Sequence, residues 1–304
     1  MSASSLASVA GSHRPNPRFD PDAASAEVGP FLKWPGGKRW LVASHSRLLP
    51  RRHNRYIEPF LGAGSVFFHL RPQWALLGDL NTDVITAFQG IMDDPEHVQL
   101  LLEKHHLQHT SEYYYKIRSE SPGTLSAQAA RIIYLNRTCF NGIYRVNKRG
   151  EFNVPLGTRD TVVLDSDNFQ AVAMLLSRAE LHNCDFESLT DSALADDLLF
   201  LDPPYTVRHN RNGFIKYNER LFSWDDQERL AKAATRAAER GAQVVVTNAS
   251  HSTIRALYEK DLFKFRTVSR FSPVSASPDS RKQFEELIIT SRRQRSSRAA
   301  QRVL

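Results

Sequence analysis

The sequence predicts an α/β fold: a doubly wound, mostly parallel seven-stranded sheet with an inserted helical plus β-hairpin subdomain. Three observations predict it. Seven short apolar runs of strand length alternate with helical stretches, the pattern of a parallel sheet covered on both faces. The interval between the second and third runs is far longer than an ordinary strand-to-helix connection. Within that interval, a hairpin signature follows two helical patterns.

In chain order, residues 1–28 are rich in Ser, Ala and Pro without sustained periodicity, and read as a disordered arm. The first strand is expected at Arg55–Pro59 and the second at Ala75–Leu80. Residues 86–178 then hold helical patterns at His97–His109 and Ala127–Asn136. Ile143–Val146 and Glu151–Val154 follow, flanking the turn Asn147-Lys148-Arg149-Gly150. The remaining strands are expected at Ala179–Cys184, Leu198–Asp202, Gln243–Asn248, Phe263–Val268 and Phe284–Thr290. Asp225–Arg240 is the clearest helix, rich in Ala, Glu, Lys and Arg and stopped by Gly241. The expected organisation is an arm at 1–28, a core domain at 29–85 and 179–290, an insertion at 86–178, and a basic tail at 291–304.

Composition narrows the class. The 304 residues carry a formal charge of +7, which suggests a polyanionic partner. The excess sits in two places. Residues 291–304 hold Arg292, Arg293, Arg295, Arg298 and Arg302 with no acid; a solvated end and a non-specific polyanion contact both fit this tail. Residues 131–160 hold Arg131, Arg137, Arg145, Lys148, Arg149 and Arg159 against Glu151 and Asp160, among aromatic and amide residues suited to nucleic acid. Cys139 and Cys184 form no disulfide framework and lack zinc spacing. No apolar run is long enough for a bilayer, and no secretion signal opens the chain, so a cytoplasmic location without membrane contact is expected. No feature calls for an obligate protein partner.

Chemistry concentrates at Asp202-Pro203-Pro204-Tyr205, directly after the apolar run Leu198–Leu201. A carboxylate and a proline-held carbonyl can accept the two hydrogens of a planar amine and localise its lone pair, while a tyrosine face stacks on the base. Four such residues alone also suit a strand-ending turn. Between the first strand and the next helix, Gly62 and Gly64 let backbone approach a ligand closely, though the third glycine of a dinucleotide fingerprint is missing. Asp79 ends the second strand, where it can accept from ribose hydroxyls. That combination suits a nucleoside cofactor without phosphates. Upstream, Trp34-Pro35-Gly36-Gly37-Lys38 is a shaped loop whose Trp34 can pack on a methionine-like moiety, with Lys38 near a carboxylate. His105, His106 and His109 cluster on one helix, but a solvated face explains them better than a metal.

The order of these motifs resembles the Dam-type DNA adenine methyltransferases over about residues 30–290. The residues carrying the resemblance are Phe31–Lys38, Glu58–Phe68, Leu135–Gly157 (with Leu-Asn-Arg, Phe-Asn-Gly and Gly-Glu-Phe-Asn-Val-Pro-Leu-Gly), Asp202–Tyr205 and Arg281–Ile289. It implies a seven-stranded methyltransferase sheet and S-adenosylmethionine as methyl donor, with no metal. It also implies double-stranded DNA as substrate, in a bacterial or phage setting beside the nucleoid. Asp202, Pro203, Pro204 and Tyr205 would be catalytic. Trp34, Lys38, Phe60, Gly62, Gly64, Asp79, Asp185 and Phe186 would hold the cofactor. Lys33, Arg137, Phe140, Asn141, Ile143, Arg145, Asn147 and Pro155 would contact DNA. Within that set, Phe140 would fill the gap left by a flipped adenine, and Arg145 would read a guanine edge. Ile143 and Pro155 would touch a thymine methyl. Phe140 stands where some relatives have tyrosine, and Ile143 where they have leucine or methionine; both changes keep apolar character. The implied site is GATC, methylated on its adenine. A cytosine amine, an RNA base, and a catalytically silent DNA-binding protein are the alternatives.

Overall fold

The computed structural model describes residues 28–147, 151–206, 222–271 and 283–292. The expected arm, most of the basic tail and the turn residues 148–150 lie outside the described residues.

All seven strands form, each within a few residues of its expected place. They are β1 (Tyr56–Glu58), β2 (Ala75–Asp79), β3 (Ala179–Asn183), β4 (Leu198–Leu201), β5 (Gln243–Ala249), β6 (Phe263–Phe271) and β7 (Gln283–Ser291). They make one sheet in the order β3-β2-β1-β4-β5-β7-β6. Every pairing from β3 to β5 is parallel, and β7 runs antiparallel to both neighbours. The central strands β1 and β4 are buried throughout, because helices cover both faces and leave no side for water. The order reverses between β1 and β4, which leaves a crevice at their carboxyl ends.

One apolar layer lies under α1 (Arg39–His45), α2 (Ser65–Leu70), α3 (Thr82–Asp93) and α7 (Phe169–Leu176). It also takes in residues of α4 (Pro95–Leu107), α5 (Ser111–Ser119) and α6 (Leu125–Thr138). The opposite face is covered by α8 (Phe186–Asp191), α9 (Trp224–Glu239) and α10 (Ser252–Ala256). The α9 helix starts at a reciprocal capping box, with the Ser223 side chain on the Asp226 amide and the Asp226 carboxylate on the Ser223 amide. Its alanines permit close approach to the sheet.

The hairpin is less regular than the sequence suggests. Its described residues make one isolated bridge, Val146 opposite Phe152, flanked by Asn147 N–H to Glu151 O (2.9 Å) and Asn153 N–H to Arg145 O (3.2 Å). A second bridge joins Cys139 to Leu156. Two-strand ribbons have little pairing to extend, and here side-chain burial on one face holds the register instead.

Candidate active site

Asp202 leaves the end of β4 in the crevice. Lys38, almost wholly buried, places Nζ 2.8 Å from Asp202 Oδ1. Lys38 also donates to Gly36 O at 2.5 Å, which ties the upstream loop to the end of β4. Thr247, near the end of neighbouring β5, donates its hydroxyl to the same Oδ1 at 2.6 Å. Both contacts fall on one oxygen, so Oδ2 has no partner among the described residues. Burial raises the Asp202 pKa, and the Lys38 charge and the Thr247 hydroxyl oppose that rise.

The residues after Asp202 are braced from behind. Tyr205 donates its hydroxyl to Glu286 Oε2 at 2.7 Å, and its ring lies 5.0 Å from Lys38 Nζ. Gln227 of α9 donates to Pro204 O at 3.2 Å and accepts from Asn248 at 2.9 Å. Thr206 donates to Phe222 O. Glu58, at the end of β1, is buried and accepts the Tyr56 hydroxyl at 2.9 Å; burial pushes its carboxyl well up.

Beside this pocket lies the glycine loop. Gly62 has φ +47°, and a Cβ there would stand 2.7 Å from the Trp34 ring, so a side chain would be both strained and blocked. Trp34 stacks in turn on Tyr144 at 5.4 Å. Asp79 accepts from Gly62 N–H and Asn81 N–H, both at 2.9 Å, with its pKa pushed up by burial to about 6. Phe60 is half-buried and stacks on Phe186 at 5.4 Å. Asp185 caps α8 through the Glu187 amide and pairs with Arg229 at 2.5 Å. The Ser65 hydroxyl, just after Gly64, is buried with no hydrogen-bond partner among the described residues. An aromatic wall, a carboxylate and an unpartnered hydroxyl along one glycine loop fit a nucleoside-bearing cofactor.

The hairpin presents two faces. Tyr144, Phe152 and Val154 are buried, whereas Ile143, Arg145, Asn153 and Pro155 are exposed. Phe140 is 51% exposed, high for a phenylalanine, and Asn141 beside it holds φ +56°. Arg145 Nε donates to Asn153 Oδ1 at 3.2 Å. Asn147 accepts from Glu151 N–H and donates to the Glu151 carboxylate. The last turns of α6, which lead into the hairpin, are joined to the upstream loop by a reciprocal pair: Lys33 N–H to Asn136 Oδ1 (2.7 Å) and Asn136 Nδ2 to Lys33 O (2.8 Å). Burial first, then nearby Arg159 and Arg137, lowers the Lys33 pKa.

Residues 34–272 match the family model of the D12 class N6 adenine-specific DNA methyltransferases. The chain belongs to this family. The methyltransferase is 33% identical over 270 residues to a type II methyltransferase of Lactococcus lactis subsp. cremoris, covering 86% of this chain and 94% of that protein. It is 32% identical over 270 residues to a DNA adenine methylase of Haemophilus influenzae (85% and 92% covered). To the DNA adenine methylase of Escherichia coli K12 it is 33% identical over 265 residues (85% and 93% covered). It is an enzyme that methylates adenine in DNA. Among the described residues no helix is long and apolar enough to cross a membrane.

The structure of the methyltransferase corrects one expected DNA contact. Arg137 is fully buried. Its guanidinium grips Asp167 at 2.5 and 2.7 Å, Val162 O at 2.7 Å and Phe31 O at 3.1 Å. With its donors taken inside the protein, it ties α6 to the loops on either side. The histidines are also internal in part: His105 Nδ1 lies 2.8 Å from the Tyr113 hydroxyl and His109 Nδ1 lies 2.8 Å from the Tyr134 hydroxyl. Among the described residues, no group of His, Cys, Asp and Glu is arranged to hold a metal.

Sequence reasoning missed Thr247, Gln227 and Glu286 around the Asp202–Tyr205 motif. Glu286 had a signal: an acid directly before the apolar run Leu287-Ile288-Ile289 of a strand covered on both faces. Thr247 and Gln227 had none, because only the pairing of β4 with β5 and the docking of α9 bring them there.

Proposed function

We propose that the methyltransferase transfers a methyl group from S-adenosylmethionine to the adenine of GATC, or of a closely related short site, in double-stranded DNA. We further propose that the target base leaves the stack to reach the crevice. One observation carries the catalytic part: Asp202 has one oxygen held by Lys38 and Thr247 and the other without a partner among the described residues. A carboxylate fixed in this way is a preorganised acceptor, aimed without paying for reorganisation.

Asp202 Oδ2 accepts one hydrogen of the exocyclic amine, and the Pro203 carbonyl accepts the other. With both hydrogens held, the nitrogen lone pair localises and points away from the ring. The Tyr205 face stacks on the base, and its hydroxyl bond to Glu286 fixes the ring angle. Pro204 is held in place by Gln227. S-adenosylmethionine supplies an electrophilic methyl group when bound. The nitrogen, once methylated, is strongly acidic and sheds its proton, so Asp202 need not be a strong base. Trp34, Phe60, Gly62, Gly64, Asp79, Asp185 and Phe186 would hold the donor. Lys38 joins the catalytic group through Asp202. Extruding the base costs a few kcal/mol, and the exposed Phe140 would occupy the gap.

For the site itself, Asn141, Ile143, Arg145, Asn147 and Pro155 lie in and beside the hairpin, and Lys33 lies on the upstream loop tied to the end of α6. Residues 86–178 would then serve as the recognition subdomain. Arginine bonds bidentately to guanine, and apolar side chains pack on a thymine methyl. The test is methylation of a GATC duplex against its single-pair variants. Arg145→Ala is expected to lose about 1–3 kcal/mol of discrimination at one base pair. Unchanged discrimination refutes the role of Arg145, and preference for another site refutes GATC while leaving the adenine chemistry in place.

A further inference from the structure

The edge strand β6 carries a second basic feature that adenine chemistry does not use. A cavity of about 560 Å³ opens there, lined by Lys260, Lys264, Arg266 and Arg292 together with Leu48, Ile288 and Thr290. The four cationic side chains are exposed, and no acid lines the cavity. Arg292 is anchored at its root by N–H to Leu262 O (2.7 Å) and Nε to Lys260 O (3.2 Å), which holds two of the cations together. Glu259 and Asp261 flank Lys260 in sequence but lie outside the lining. Among the described residues Lys260, Lys264 and Arg266 form no ion pair. Charges of either sign on an edge strand discourage pairing with other chains. That need does not account for four charges of one sign gathered in a concavity.

Position separates this cavity from the catalytic crevice. The sheet runs β4-β5-β7-β6, so β6 stands about 14 Å from β4 at normal strand spacing. Lys264 pairs with Thr290, which faces Val245, whereas Asp202 lies beside Thr247 further along β5. Lys264 and Arg266 share a strand face about 6.8 Å apart, a spacing that engages neighbouring phosphates rather than one ion. An edge strand also offers backbone N–H groups along its free side.

We propose that this groove binds the phosphodiester backbone of a DNA segment other than the one held at the catalytic crevice. It gives the enzyme a second, sequence-independent grip on its polymer. The proposal rests on DNA being the substrate, and not on the roles assigned to Asp202 or to the hairpin.

The test uses the full chain, a 20-base-pair duplex of G·C pairs only, and a 12-base-pair target duplex. Affinity for the G·C duplex is measured against salt for the wild type and for the double substitution Lys264→Gln/Arg266→Gln. Each lost phosphate contact should reduce the slope of log affinity on log salt by about 0.9, so the double variant should lose about 1.8. Wild type immobilised on the target duplex should capture the labelled G·C duplex, and the double variant should not. The charge-keeping pair Lys264→Arg/Arg266→Lys should match wild type in both assays. Single-turnover methyl transfer to the 12-mer should be equal in all three. An unchanged slope and unchanged capture overturn the proposal. A parallel loss of methyl transfer by a folded variant overturns it as well, because the groove would then hold the substrate segment itself. A wild type that captures the G·C duplex through this groove but methylates nothing counts against the catalytic reading alone.

Discussion

Replacing Lys38 by methionine keeps most of the length of the side chain and removes its charge and its terminal donor. In the folded protein Lys38 Nζ is 2.8 Å from Asp202 Oδ1, and the two side chains are only 4% and 17% exposed. Solvent therefore screens the pair little. Loss of a hydrogen bond to a charged group costs about 1.5–3 kcal/mol. Taking about 2 kcal/mol as the loss in the transition state gives roughly a thirtyfold slower methyl transfer. The pH dependence is the more diagnostic readout. Burial already raises the Asp202 pKa, and Lys38 is the main force holding it down. Without Lys38 the carboxyl keeps its proton to higher pH, and a protonated Asp202 is a poorer acceptor for the amine. The acidic limb of the rate profile should therefore move to higher pH, with part of the activity recovered as pH rises. Single-turnover rates from pH 5.5 to 9.5, with melting temperature and donor affinity as controls, measure this. A uniformly slower enzyme whose acidic limb stays in place refutes the coupling of Lys38 to Asp202.

Arg137→Ala should act on stability and leave DNA affinity alone. It strands the buried Asp167 carboxylate, which costs about 3–5 kcal/mol in denaturant unfolding; full stability with a flatter salt dependence of DNA binding would restore Arg137 to the interface. Asp79 gives a stability signature with a defined sign. Its folded pKa of about 6 lies above its ordinary 3.8, so its favourable contribution is present below about pH 4 and is lost as pH rises through 6. Asp79→Asn should therefore gain stability relative to wild type between pH 4 and 6 and hold a constant difference above 7. A difference that does not vary across that window contradicts the assignment of burial as the cause.

The sheet was readable because its strands are short apolar runs separated by well-marked helices. Even the irregular seventh position, Gln283–Ser291, carries the run Leu287-Ile288-Ile289. What periodicity does not carry is pairing. The sequence pattern of Ile143–Val146 and Glu151–Val154 announces a hairpin, yet among the described residues one bridge forms there and no third strand extends it, so three buried residues hold its register. The Asp202–Tyr205 motif was legible as a motif, since an acid and two prolines after a buried strand are conspicuous. Its supports were not, because Thr247, Gln227 and Glu286 reach it from elements far apart in the chain. Arg137 shows the opposite failure. An arginine in a basic, amide-rich stretch looks like a nucleic-acid contact, and only the fold reveals that Asp167, thirty residues on, takes its charge inside.

The most direct test maps methylated bases at single-nucleotide resolution in DNA from cells expressing the wild type or Asp202→Ala. The account predicts N6-methyladenine in GATC or a closely related short site with the wild type. With Asp202→Ala it predicts none, while the folded variant still binds S-adenosylmethionine. Methylated cytosine in place of adenine, or adenine methylation that persists in Asp202→Ala within tenfold of wild type, would contradict it.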